Sequence, residues 1–171
     1  MITLSKEVFA NISADGAACY PEECCGIIFG TINENGDKTA NFAEPVENGF
    51  EQREKYHRFE ITPEIMLKAE RAARKKRLDI VGFYHSHPDC KAFPSEFDRA
   101  HALPVYSYII VSVVKGSAID TRSFVLSAEN MRKNQHSSYP HRRSKARRSR
   151  IVSGKSEERT VERSFRKIQR N

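Results

Sequence analysis

Residues 78–86, LDIVGFYHS, are the stretch that most constrains how this chain can fold. The run is almost continuously apolar, so a strand built from it has to be buried on both faces. Such a strand lies inside a sheet with helices packed against it. His85 follows the apolar residues directly, so a titratable side chain would lie at the carboxyl end of this strand.

Segments with helical and strand patterns alternate around this run. A helix from Lys6 to Ala18, capped by Ser5, is predicted to bury Val8, Phe9 and Ile12. A second helix begins at Pro63 behind its N-cap Thr62, and a short third helix begins near Ser95. The other strands are predicted at CCGIIFGTI (24–32), at 38–46 after the turn signal NENGD, at YSYIIVSVV (106–114) and at IDTRSFVL (119–126). This order predicts an α/β (α+β) fold, with a sheet flanked by helices.

The charge of the chain is concentrated at one end. Residues 1–127 carry 15 Lys and Arg against 18 Asp and Glu, whereas residues 128–171 carry 14 against 4. The second part has few apolar residues and no core-forming periodicity. We therefore expect one domain over residues 1–126 and a basic, disordered C-terminal extension over 127–171.

The four cysteines, Cys19, Cys24, Cys25 and Cys90, have no disulfide-like spacing. No stretch approaches the roughly 20 apolar residues that span a bilayer, and the N-terminus has no apolar run of signal-peptide length. These features predict a reduced, cytoplasmic setting and no membrane partner.

The stretch HSHPDCKAFPSEFD (85–98) has the composition of a metal site. His85 and His87 are two residues apart on a strand, so both side chains point to the same face. Two neutral imidazoles suit zinc, and Asp98 supplies a third ligand. Ser95 and Asp98 also fit a helix capping box, which is the competing interpretation.

A hydrolytic zinc site also needs a general base from elsewhere in the fold. The candidate is Glu23, in YPEECCGIIFG just before a predicted buried strand. Its neighbour Glu22 is the alternative.

With these residues the sequence resembles the JAMM/MPN-domain metallopeptidases. Their pattern is a Glu near the first core strand, then His-x-His-Pro, then a Ser after seven intervening residues and an Asp three later. Here 88–94 separate His87 from Ser95, and Glu23 lies three residues before Gly26. The resemblance covers residues 1–126 and implies a cytidine-deaminase-like MPN fold with a mixed central sheet.

The resemblance also implies the chemistry. His85, His87 and Asp98 would hold one Zn²⁺ per chain, Glu23 would act as general base and acid, and Ser95 would stabilise the oxyanion. The chain most resembles small bacterial members that hydrolyse the bond after the C-terminal Gly-Gly of a ubiquitin-like, β-grasp sulfur-carrier protein, for example to release cysteine. A deubiquitinase-like isopeptidase of broader specificity is the alternative.

Other candidate residues are interpreted as structural. Cys90 as a fourth ligand would close the site to water. Cys24 and Cys25 fit a core strand, and His57 and His101 fit the surface. A non-enzymatic alternative is nucleic-acid binding through the basic extension, which salt-dependent retention on DNA would reveal.

Overall fold

The computed structural model describes residues 1–126 and 148–149. Its strands form one mixed sheet in the order β1-β3-β2-β4-β5-β6-β7, with parallel pairing at β1–β3 and β4–β5 and antiparallel pairing elsewhere. The predicted helix-flanked sheet is confirmed. The elements are β1 (Ile2–Thr3), α1 (Lys6–Cys19), β2 (Cys25–Ile32), β3 (Lys38–Val46), α2 (Pro63–Lys76), β4 (Asp79–Pro88), α3 (Glu96–His101), β5 (Ser107–Val114), β6 (Ser117–Val125) and β7 (Arg148–Ser149).

Strand β4, built from the apolar run, lies in the middle of the sheet between β2 and β5. Helix α1 covers one face, where the core includes Val81 and Tyr84. Helix α2 covers the other face, where Phe83 packs with Ala69 and Ala73. His85 follows at the end of this doubly buried segment and is 1% exposed. The prediction of burial on both faces is therefore confirmed.

Helix α1 differs from its prediction in one respect. Phe9 was expected on the inner face, but it is 38% exposed, because Val8, Ile12 and Gly16 form the buried stripe. The helix continues through Gly16 and lies close to the sheet there, since a Cβ at this position would stand 3.3 Å from Cγ2 of Val113. The absence of a side chain at Gly16 thus sets how closely helix and sheet approach.

Two short strands were not predicted. β1 pairs in parallel with the start of β3, and it is too short to carry a periodic signal. β7 pairs antiparallel with Ser123 and Phe124 of β6. Disorder and nucleic-acid binding were predicted for the extension 127–171. Of this extension the structure describes only residues 148–149, so both predictions lie outside the described residues. No helix in the described part of the chain has the length and apolar character needed to cross a membrane.

Gly82 supports the close pairing of β4 with β5, and it provides a test of the fold. A Cβ at this position would lie 2.2 Å from the Ser107 carbonyl oxygen, so backbone would have to move. We expect Gly82→Ala to lower the free energy of unfolding by about 1–3 kcal/mol, measured by urea denaturation. The exposed Ser117→Ala should change it by less than about 0.5 kcal/mol. Equal stability of the two variants would contradict this packing.

Candidate metal centre

His85 and His87 face each other at the carboxyl end of β4. Their Nε2 atoms are 3.0 Å apart, and both side chains are buried. Cys25 of β2 and Ile110 of β5 flank His85 in the sheet, so its backbone is fixed on both sides. The predicted shared orientation of the two side chains is confirmed.

Asp98 reaches the same point from the first turn of α3. Its Oδ1 lies 3.4 Å from Nε2 of His85, and its Oδ2 lies 3.4 Å from Nε2 of His87. The same carboxylate accepts the Ser95 backbone N–H at 2.6 Å, while the Asp98 N–H donates to Ser95 Oγ at 3.1 Å. The capping box is therefore present, and the carboxylate still faces the histidines. The two interpretations of this pair are compatible.

The pKa values of His85, His87 and Asp98 are shifted by burial and by the interactions among these side chains. Burial opposes the charged form of Asp98, but its hydrogen bonds with His85 and His87 outweigh burial and hold the pKa of this carboxyl far below its usual value. Burial lowers the pKa of His85. Burial also acts against the charged form of His87, yet Asp98 and Glu23 together raise its pKa. A strongly ionised carboxylate thus stands between two imidazoles.

The two imidazoles are oriented differently. Nδ1 of His87 lies 3.1 Å from the Lys91 carbonyl oxygen, which can only accept a hydrogen bond, so Nε2 carries the lone pair of the neutral ring. His85 stacks on Phe59, with ring centroids 4.4 Å apart. Its Nδ1 is buried without a hydrogen-bond partner among the described residues. Packing therefore fixes the ring of His85, whereas a hydrogen bond fixes that of His87.

The loop between β4 and α3 is held to the sheet at several points. Asp89 has a left-handed backbone (φ 51°), donates its N–H to the Val113 carbonyl at 2.7 Å and accepts from Tyr20 Oη at 2.9 Å. Ser112 Oγ donates to the Cys90 carbonyl at 2.5 Å. Ala92 is fully buried. These contacts determine where the loop delivers Ser95 and Asp98.

Glu23 is buried beside this group, just before β2. Its backbone N–H donates to the Lys55 carbonyl at 2.7 Å, and the next N–H, that of Cys24, donates to Ser86 Oγ at 2.9 Å. Burial raises the pKa of Glu23 to about 8, although the charge of His87 acts in the opposite direction. The alternative, Glu22, is partly exposed and accepts a hydrogen bond from Gln52. Of the two glutamates, Glu23 is the buried one, and its carboxyl interacts electrostatically with His87 and Asp98.

The residues interpreted as structural lie where that interpretation places them. Cys90 is exposed, and it is not in the group of described side chains that could hold a metal, which comprises His85, His87 and Asp98. Burial raises the pKa of Cys25 to about 12, so its thiol is protonated in the core. His57 and His101 are exposed. All four cysteines are free thiols.

Two residues of the centre were missed from the sequence. Phe59 supports His85, and Ser86 holds the backbone next to Glu23. Strand alternation places Ser86 on the opposite face from the histidines, which could have indicated a structural hydroxyl there. No local pattern indicates the contact of Phe59 with His85.

The donor set fits a divalent cation. Two imidazole Nε2 atoms and a carboxylate converge within 4.8 Å of one another, which is the ligand chemistry of a three-residue zinc site. An ion among them would receive both nitrogen lone pairs and the carboxylate charge. Three protein ligands would leave a coordination position for a further group.

An apolar groove opens from this centre along the sheet. Its volume is about 740 Å³, and His85 and Asp98 form part of its wall. Most of the remaining wall is aromatic and apolar, including Phe59, Phe97, Leu103, Tyr106 and Tyr108. The groove has room for an extended segment of another chain beside His85 and Asp98.

Comparison with known proteins agrees with this geometry. The family described as prokaryotic homologs of the JAB domain matches residues 5–127. A desampylase of Haloferax volcanii is 38% identical over 111 residues, which are 63% of this chain and 76% of the relative. The solution structure of a Salinibacter ruber protein is 30% identical, covers 91% of this chain and 93% of its own, and superimposes with a TM-score of 0.65.

A second solution structure supports the fold alone. It is a protein of Desulfitobacterium hafniense, 24% identical, with a TM-score of 0.70 over 90% of this chain and 92% of its own. The family match extends over most of the chain, and the resemblance to JAMM/MPN proteins is confirmed. The chain therefore belongs to the prokaryotic JAB-domain family and is a JAMM hydrolase.

Proposed function

We propose that the protein is a zinc metallopeptidase that hydrolyses the peptide or isopeptide bond after the C-terminal Gly-Gly of a ubiquitin-like sulfur-carrier protein. The observation that carries the proposal is the convergence of His85, His87 and Asp98 beside the buried carboxyl group of Glu23. Metal ligands and a separate proton-transfer group are the parts that metal-assisted hydrolysis needs.

His85, His87 and Asp98 would hold one zinc ion. When bound, zinc would supply Lewis-acid activation of the attacking water and the scissile carbonyl. The charge of Asp98 would compensate part of the ion's charge, and the contact of His87 with the Lys91 carbonyl would keep its Nε2 available to the ion.

Glu23 would accept the proton of the attacking water and return it to the leaving nitrogen. Its buried position gives it a pKa far above that of an ordinary glutamate, and a cation nearby would lower that pKa towards neutrality. A group that titrates near the working pH both accepts and donates protons efficiently. Ser95 is exposed at the start of α3, where its O–H could donate to the developing oxyanion.

Two observations support the substrate class. The groove offers apolar and aromatic contacts for an extended polypeptide segment beside the metal ligands. The similarity to a protein named desampylase supports a ubiquitin-like conjugate as the substrate. The same similarity favours the second candidate, an isopeptidase that releases such a protein from lysine side chains.

A carrier assay separates these functions. We expect the zinc-loaded protein to remove a single cysteine from a β-grasp carrier extended beyond its Gly-Gly, which intact mass spectrometry detects as loss of one residue. The same carrier joined through an isopeptide bond to a lysine tests the alternative. A carrier ending in Ala-Ala before the cysteine is the control and should not be cleaved.

The outcomes are distinct. Cleavage of the isopeptide conjugate alone would favour the isopeptidase. Equal cleavage of the Gly-Gly and Ala-Ala carriers would disprove recognition of the tail. No cleavage of any of them would exclude both functions.

A further inference from the structure

Asn48 is a buried amide with a fully used set of hydrogen bonds. Its Nδ2 donates to the Glu23 carbonyl at 3.2 Å and to the Arg58 carbonyl at 2.9 Å. Its Oδ1 accepts the N–H groups of Phe50 at 3.1 Å and Glu60 at 3.2 Å. An amide has two donor hydrogens and two acceptor lone pairs, so all four are satisfied.

These four bonds connect two parts of the centre. One reaches the backbone of Glu23. Two others bind the residues on either side of Phe59, the carbonyl of Arg58 and the N–H of Glu60, and Phe59 is the ring stacked on His85. A single buried side chain thus fixes the backbone of the general-base candidate and of the residue that supports a metal-ligand candidate.

The segment 49–59 is a loop whose two ends are closed at Asn48. The Gly49 N–H donates to the Glu60 carbonyl at 2.9 Å, and a Cβ on Gly49 would lie 2.7 Å from Cγ2 of Thr62. The middle of the loop returns to the site, where the Lys55 carbonyl accepts the Glu23 N–H at 2.7 Å. The N–H of Glu23 is therefore bound by Lys55 of this loop, and its carbonyl is bound by Asn48 at the end of the loop.

We propose that Asn48 is a positioning residue for this centre. It aligns Glu23 for proton transfer, and through Phe59 it sets the orientation of His85, whose Nδ1 has no hydrogen-bond partner among the described residues. The part of this inference that concerns proton transfer rests on the proposed function. The part that concerns His85 can be measured without any substrate.

The chain contains a matched control. Asn33 also accepts two backbone N–H groups with its Oδ1, those of Asn35 at 3.0 Å and Asp37 at 2.9 Å. It lies in the exposed turn between β2 and β3, where it makes none of the contacts of Asn48 with the site. Asn33→Ala removes a turn hydrogen-bond acceptor, whereas Asn48→Ala removes the link between Glu23 and Phe59.

The test uses the full chain in three forms, wild type, Asn48→Ala and Asn33→Ala. The first measurement is titration of the metal-free protein with Co²⁺, followed by its visible absorption. Loss of an outer-shell partner typically weakens metal binding or activity by about 10–100-fold. We expect a loss of Co²⁺ affinity in this range and an altered spectrum for Asn48→Ala, and wild-type behaviour for Asn33→Ala.

The second measurement is hydrolysis of the Gly-Gly carrier at saturating zinc. We expect kcat of Asn48→Ala to fall by about 10–100-fold, because the base is misaligned, and KM to rise as well, because Phe50, Phe59 and Glu60 form part of the groove wall. Asn48→Ser, a smaller neutral polar residue, replaces the alanine variant if circular dichroism shows that the latter is unfolded. It should show the same losses, because one short hydroxyl cannot make the two donor bonds to the Glu23 and Arg58 carbonyls.

The outcomes distinguish this inference from the proposed function. An inactive wild type that still binds Co²⁺ would end the proposed function, and the Co²⁺ comparison would then decide the inference alone. Wild-type Co²⁺ affinity and wild-type kcat in a folded Asn48 variant would overturn the inference that Asn48 positions the centre. Equal losses in the Asn48 and Asn33 variants would overturn it as well, because a general loss of stability would explain them.

Discussion

The Glu23→Gln variant is expected to keep its fold and its metal and to lose hydrolysis by about 10²–10⁴-fold. Glutamine has the shape of glutamate and can occupy the same buried position, but it cannot accept a proton. Burial makes the neutral side chain easy to accommodate, since it already raises the pKa of Glu23 to about 8. The measurements are kcat on the Gly-Gly carrier and zinc content by elemental analysis.

Glu22→Gln is the matched control for this experiment. The two glutamates are adjacent in sequence, but Glu22 is partly exposed and contacts Gln52 rather than the histidines. We expect near wild-type hydrolysis from Glu22→Gln. A larger loss in Glu22→Gln than in Glu23→Gln would show that the general base had been assigned to the wrong residue.

Local signals in the sequence were sufficient for much of the fold. Thr62 and Pro63 marked the start of α2, and the structure places N-cap and first turn at these residues. The turn signal at 33–37 separated β2 from β3 at the observed bounds. Such features depend on a few neighbouring residues, so they can be recognised without knowing what packs above them.

The group of side chains that could hold a metal was also accessible from the sequence, for a similar reason. His85 and His87 share a face because strands alternate, and Asp98 lies one helical turn beyond the capping residue Ser95. Glu23 is different, because it comes from a distant part of the chain. Spacing within a single segment could not select it over Glu22. Only the family pattern and then the structure placed it beside His87.

What the sequence could not reveal depends on contacts between distant segments. Asn48 reads as a loop residue, yet it bonds to the backbone of Glu23, 25 residues earlier. Phe9 has the helical spacing of an inner residue, but the side of α1 that packs on the sheet is the one with Val8, Ile12 and Gly16, because Gly16 allows close approach there. In both cases the packing of two elements decides the role, and neither element carries that information alone.

The same geometry explains how the centre combines rigidity with access. The end of β4 fixes the histidines within the sheet. The β4–α3 loop places Asp98 beside them, and the loop 49–59 supports the backbone of Glu23. The first loop delivers Asp98 and is held by Ser112 and Asp89. The second supports Glu23 and is closed at Asn48. Between these supports the groove remains open to a substrate segment.

Removing the metal should abolish hydrolysis completely and reversibly. We expect about one zinc per chain in the purified protein, because three protein ligands build one open site. A strong chelator should reduce hydrolysis of the carrier to background, and added zinc should restore it. A serine- or thiol-directed reagent should have no comparable effect, because neither Ser95 nor Cys90 acts as a nucleophile in this mechanism.

The Asp98→Asn variant tests whether the charge of this one side chain is needed for metal binding. The amide oxygen of the substituted side chain can still accept the Ser95 N–H, so the start of α3 stays capped, while the charge between His85 and His87 is lost. We expect this variant to keep the wild-type circular dichroism spectrum, to lose most of its zinc on dialysis and to be inactive at wild-type zinc concentrations. Its thermal midpoint should lie below that of the zinc-loaded wild type, because a bound ion stabilises the native state. Full zinc occupancy and activity in Asp98→Asn, or undiminished wild-type activity in the chelator, would refute the metal centre proposed for these three residues.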